Sequence, residues 1–264
     1  TESNNLVILG LSINADDEII NSEGDHPSTV LPVRRRVESG IKRVALPFNQ
    51  HGDIDQAALL QKIDAKTRLL VLNAVNGQTG HDYNVITIAA EVKAQYPHVF
   101  IHVDGAQAVG KVPFSLKAGV IDSLSISGHK LGGPKGCSVL IMKDDMELAP
   151  LLLGGGQEFG LRSSTRSMAL IESMTVAGEE ALSTLSSSYE SVQKIKALLV
   201  KGVKSILPGV IFPFESSQQL SPFIVMMIIP GVTGEVLVRT LNDEGTVIST
   251  RSACSSKHSG TIPI

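Results

Sequence analysis

Val99-Phe100-Ile101-His102-Val103-Asp104-Gly105-Ala106-Gln107 is the stretch that decides the fold. Five residues, four of them apolar, run into an acid and a glycine, the pattern of a buried strand that ends in a tight turn. Three similar runs occupy residues 69–72, 123–126 and 138–142. Helix-like segments at 56–66 and 85–95 precede the runs at 69 and 99. Strand and helix in alternation predict an α/β domain built on a mostly parallel sheet.

Working outward, residues 168–207 read as one long helical stretch, a connector between domains. After Pro208 the pattern becomes strand (223–229, between Pro222 and Pro230), helix (234–242) and strand (246–250), the beginning of a smaller α+β domain. The division expected is a large domain over residues 1–167, a connector over 168–207 and a small domain over 208–264. The first is expected to be incomplete at its N-terminus and the last at its C-terminus. Thr1-Glu2-Ser3-Asn4-Asn5 reads as a helix start, and neither chain end reads as a natural boundary.

Composition narrows the function classes. Of 264 residues, 42% are hydrophobic and 19% charged, which suits a globular chain long enough for a large core. A net charge of −3, with Arg34-Arg35-Arg36 as the only basic run, argues against nucleic-acid binding. No apolar stretch reaches the ~18–20 residues that span a bilayer, and the first residues lack the pattern of a signal peptide. Two cysteines without zinc spacing argue for a reducing compartment rather than a disulfide framework.

Three places could carry chemistry. Asp104 ends a strand at the sheet edge where α/β proteins bind ligands. A carboxylate there could pair with a cationic ring nitrogen such as that of pyridoxal 5'-phosphate (PLP), or simply cap the following turn. About 25 residues on, Ser127-Gly128-His129-Lys130 leads a strand into a glycine-rich loop. Lys130 could form a Schiff base there or remain a solvated loop lysine, while Ser127 offers a hydroxyl to a phosphate. Neither GxGxxG nor GxxxxGK[ST] occurs, so nucleotide-binding loops are not supported. In Ser252-Ala253-Cys254-Ser255-Ser256, Cys254 sits among polar residues and is expected to be exposed and reactive. Cys137 reads as a buried residue at a strand entry.

Taken together, these motifs resemble the cysteine desulfurases of the class V aminotransferase group, which have the fold-type I PLP architecture. The resemblance rests on the stretches from Thr1 to Asn5, Asp104 to Lys111 and Ser125 to Lys130. It continues through Gly132 to Gly136, Gly154 to Glu158 with Leu161 to Thr165, and Ser252 to Ser256. It implies that Lys130 holds PLP as a Schiff base and then moves the substrate Cα proton. It implies also that Asp104 pairs with the ring nitrogen, Gln107 bonds the phenolic oxygen, and His26 stacks on the ring. Thr1, Ser127 and His129 would hold the phosphate, and Thr165 would reach the phosphate of a neighbouring subunit in a homodimer. Cys254 would take the sulfur of L-cysteine as a persulfide, leaving L-alanine.

The sulfur would then pass to an acceptor or scaffold protein, for iron–sulfur cluster assembly or thiolation, in the cytoplasm or the mitochondrial matrix. Two departures stand out. Gly77 aligns where the family has Asn, with Asn76 the nearest amide, and Arg251 stands where a Gly precedes Ser-Ala-Cys. Selenocysteine lyase, acting on L-selenocysteine, shares nearly all these motifs. A catalytically degenerate or truncated paralogue with a scaffold or regulatory role is the non-enzymatic alternative.

Overall fold

The computed structural model describes residues 1–250, so Arg251 and Cys254 lie outside the described residues. In chain order the elements begin with α1 (Glu2–Gly10), β1 (Glu18–Asn21), α2 (Pro27–Glu38), β2 (Lys42–Ala45) and α3 (Gln56–Lys62). Then come β3 (Thr67–Asn73), α4 (Val85–Gln95), β4 (Phe100–Asp104), β5 (Ser123–Ser127) and β6 (Ser138–Met142). Three helices follow: α5 (Met168–Ser183), α6 (Leu185–Ile206) and α7 (Gly234–Asp243).

Six strands form one sheet in the order β2-β1-β3-β4-β5-β6, parallel except for β6, which pairs antiparallel with β5. All four apolar runs are strands, as expected, and β1 and β2 extend the sheet beyond them. Period-two alternation along β3 distributes the core. Leu70 and Leu72 face a cluster with Leu59 of α3 and Ile88, Ala89 and Val92 of α4. Leu69 and Val71 face the opposite cluster, with Leu6, Val7 and Ile8 of α1 and Val33 of α2. Both faces are therefore covered, the usual condition of a parallel sheet.

The register of the parallel strands brings their C-terminal ends into line. Asn73 lies opposite Asp104, and Asp104 opposite Ser125. On the α1 side, Arg36 donates to the carbonyls of Ile8, Leu9 and Leu11 at 2.9, 2.7 and 2.6 Å, closing the C-terminal turn of α1 against α2. The rest of the basic run stays at the surface, where Arg34 pairs with Glu23 and Arg35 with Glu38.

Several expectations need correction. The connector is two helices, broken at Thr184, where the backbone leaves helical geometry. Residues 223–229 form no strand: Ile228 makes only an isolated bridge with Ile211, because no strand among the described residues lies beside the run to complete a ladder. Residues 246–250 form none either, and Val247 is 82% exposed. Cys137 does stand at the entry to β6, but it is half-exposed because β6 is a sheet edge. Among the described residues, no helix is long and apolar enough to cross a membrane.

Candidate active site

Asp104 is the last residue of β4 and is buried. Its Oδ1 accepts from the Ala106 N–H at 3.0 Å, so it does cap the turn that follows. Its Oδ2 accepts from Asn4 Nδ2 at 2.7 Å. Asn4 spends its whole amide at this edge. Nδ2 also donates to Ser28 Oγ (2.9 Å), while Oδ1 accepts from His102 Nε2 (3.0 Å) and Ser125 Oγ (2.5 Å). A buried amide with all its bonds made is rigid, and it holds the carboxylate to one orientation.

His102, two residues before Asp104 on β4, is fully buried beneath this network. Burial pushes its imidazole down to about 4, against a smaller upward pull from Asp104. The ring is therefore neutral, with Nε2–H donated to Asn4 and Nδ1 within 2.9 Å of Ser123 Oγ.

His26 caps α2, ahead of Pro27 in the first turn. Its Nδ1 accepts from the Ser28 N–H (3.1 Å) and lies 2.7 Å from Ser28 Oγ, which fixes the Nε2–H tautomer. Desolvation lowers its pKa, with Lys130 acting in the same direction and Asp104 opposing. His26 thus sits in the electrostatic field of both. One hydrogen-bonded path, His26–Ser28–Asn4–Asp104, ties the imidazole to the carboxylate.

Lys130 lies on a short 3-10 turn, Gly128–Leu131, entered directly from β5. It is exposed and makes no ion pair with the described residues. The turn packs on α5: a Cβ on Gly128 would fall 3.1 Å from Met174 Sδ and 3.0 Å from the Cys137 carbonyl. Ser127 Oγ and His129 Nδ1 are 2.8 Å apart. Desolvation lowers the His129 pKa, followed by Lys130, Lys111 and Lys135, so this corner is electropositive. Ser138, across the ladder from Ser127, lies 3.5 Å from Ser3, which brings the start of α1 beside the end of β5. Thr1 is exposed at that helix start, and its side chain makes no capping bond.

The remaining candidates divide. Gln107 lies in the turn after Asp104, and its Oε1 accepts from Lys111 Nζ at 2.7 Å. Asn76 is buried and engaged within its own surroundings: Oδ1 accepts from the Gln78 and Thr79 N–H groups, and Nδ2 donates to the Gly24 carbonyl. Thr165 is exposed on a loop that Arg162 ties to Glu2 of α1 through an ion pair of 2.8 Å.

Sequence reasoning missed Asn4, Ser28, His102, Ser125 and Asp25. His102 had a usable signal, since alternation puts it on the same strand face as Asp104. Asp25 is buried, and its Oδ2 is the one buried side-chain oxygen or nitrogen among the described residues without a partner. Burial, then the charge of Asp104, pushes its pKa up to about 8, so it is a neutral acid at pH 7.

The donor set matches a planar anionic heteroaromatic ligand. Among the described residues it offers a fixed carboxylate for a ring nitrogen, a neutral imidazole, an amine without an acidic partner, and hydroxyls among cations for a phosphate.

Comparison with known proteins follows the same line. The family model "Aminotransferase class-V" matches residues 1–261. The chain is 33% identical over 261 residues to the NifS/IcsS protein homolog of Lactobacillus delbrueckii subsp. bulgaricus, covering 97% of this chain and 67% of that protein. It is 33% identical over 263 residues to the cysteine desulfurase IscS of Rickettsia prowazekii, covering 97% and 62%. A solved NifS-like protein superposes with a TM-score of 0.89 at 28% identity, over 95% of this chain and 68% of that one. The chain thus spans about two thirds of the length of the curated relatives it matches.

Proposed function

This chain belongs to the aminotransferase class-V family, and from that premise we propose that it acts as a PLP-dependent cysteine desulfurase. L-Cysteine is converted to L-alanine, and its sulfur is passed to the Cys254 thiol for delivery to an acceptor protein. One observation carries the reading. Neighbouring strands β4 and β5 deliver a fixed, buried carboxylate (Asp104) and an amine with no ion-pair partner among the described residues (Lys130) to the same sheet edge.

When bound, PLP supplies the electron sink, and the protein supplies position and protonation. Asp104, held by Asn4 and the Ala106 amide, keeps a proton on the ring nitrogen. His26, fixed as its Nε2–H tautomer, faces the site as a neutral ring. Lys130 anchors the cofactor and moves the substrate Cα proton at its Nζ. Ser127, His129 and Thr1 receive the phosphate in the electropositive corner beside Lys111 and Lys135. Cys254 contributes the thiol, within a Ser-Ala-Cys motif that resembles the family's. A persulfide product suits a reducing compartment, and the bacterial relatives favour the cytoplasm.

The test is spectroscopic and chemical. Purified protein is expected to show a visible cofactor band that borohydride fixes, and Lys130→Ala is expected to lose it, with turnover falling roughly 10²-fold or more. Cys254→Ser is expected to keep the band yet stop alanine release from L-cysteine. No band after added PLP, or undiminished turnover by Cys254→Ser, overturns the proposal. Turnover of L-selenocysteine alone reassigns the substrate.

A further inference from the structure

Side-chain amides crowd the C-terminal edge of the sheet, and nearly all are spent. Asn4 makes four bonds, Asn21 bonds the Ser22 carbonyl and Arg43, and Asn76 is engaged with backbone at both ends. Gln107 differs. Among the described residues its carboxamide has a single partner, Lys111, four residues on, whose Nζ lies 2.7 Å from Oε1. The backbone between them turns helically, with Val109 N–H on the Gly105 carbonyl and Val112 N–H on that of Ala108. Residues four apart therefore share a face.

An ammonium has three donors and no acceptor, so it admits only the amide oxygen of Gln107. The NH2 must then point the other way. There Nε2 would lie 3.5 Å from a Cβ built on Gly77, and no acceptor among the described residues claims it.

Resting on the cofactor reading above, we propose that Lys111 is a positioning residue for Gln107. It holds the carboxamide oxygen on its own Nζ, so the site presents an NH2 donor, and never an acceptor, to the anionic ring oxygen of the cofactor. Lys111 is well suited to this. It is partly buried, and desolvation together with Lys130 pushes its amine down to about 8, so it gains from keeping an acceptor. Gly77 sharpens the dependence, because it contributes no side-chain amide of its own where Gln107 points.

Two measurements test the pair. In the unliganded protein, the Lys111 amine is titrated by NMR on lysine-labelled samples. Gln107→Leu removes the acceptor and is expected to lower the Lys111 midpoint further, whereas an unchanged midpoint overturns the contact. In the PLP-loaded protein, the pH midpoint of the visible cofactor band is compared across Lys111→Met, Lys111→Arg, Gln107→Leu and the Met/Leu double variant. Lys111→Met and Gln107→Leu are each expected to raise the midpoint by roughly 0.5–1 unit, the worth of one hydrogen bond. The double variant is expected to match either single one, and Lys111→Arg to keep the wild-type value. Additive shifts, or no shift in Lys111→Met, overturn the positioning role. A wild-type protein that takes up no PLP would instead sink the cofactor reading, while the first titration still decides the contact.

Discussion

At the residue scale, the two buried groups beneath the site set opposing dependences of stability on pH. Asp25 is raised from 3.8 to about 8 in the fold, so above pH ~4 folding must retain a proton that the unfolded chain has released. Stability is lost through this group as pH rises from about 4 to 8, at about 1.4 kcal/mol per unit at most. His102 is lowered to about 4, so its contribution is lost in the other direction, as pH falls from about 6.5 to 4. Asp25→Asn removes the first slope and leaves the second. Urea unfolding is expected to show this variant gaining on the wild type from pH 4 to 8 and then levelling. A constant difference across that range would show that Asp25 is not held protonated. Asp104 and Lys130 were legible in the sequence because each is a chemical group just past an apolar strand. Asn4 and Asp25 were not, because what defines them lies far away in the chain: Asn4 meets Asp104 one hundred residues on.

At the scale of elements, legibility followed apolar content. β3 to β6 announced themselves by runs of branched side chains. β1 and β2 are four residues each and half polar (Glu18 and Asn21, Lys42 and Arg43), too short for alternation to register. Residues 223–229 gave the converse error, since an apolar run becomes a strand only where a partner completes its hydrogen bonds. The turn after β4 is more strictly determined than composition suggested. A Cβ on Gly105 would lie 2.6 Å from Leu124 Cδ1 and 3.2 Å from the Ser125 carbonyl, so Asp104 and Gln107 reach the edge only if β5 can approach closely. Gly105→Ala is expected to cost about 1–3 kcal/mol by overpacking and to weaken PLP binding with it. Gly77→Ala, whose Cβ meets nothing nearer than 3.5 Å, serves as the control and is expected to be near neutral in denaturant unfolding. Equal losses in the two variants would show that close approach at Gly105 is not what places the turn.

At the scale of the whole molecule, the described residues leave apolar surface uncovered on α5, α6 and the β6 edge, including Ile171, Leu198, Ile206, Val139 and Ile141. The loop that carries Thr165 adds a sharper sign. Glu158 and Phe159 both adopt positive φ, at 51° and 58°, and Phe159 is 97% exposed at the tip. A strained backbone that presents an aromatic ring to water is a feature of contact surfaces rather than of a solvated loop. It fits the homodimer that the family resemblance implies, in which Thr165 of one subunit would serve the phosphate of the other. Mixing two defective variants tests that arrangement directly. Lys130→Ala has no anchor in its own site but carries an intact Thr165, whereas Thr165→Val keeps the anchor and lacks the hydroxyl. In a hybrid dimer, the site containing Lys130 receives Thr165 from the other chain and is complete. Refolding the two variants together is therefore expected to restore wild-type PLP affinity in about half of the anchored sites, the fraction for random pairing. Affinity unchanged from Thr165→Val alone would place Thr165 in its own subunit's site or in none.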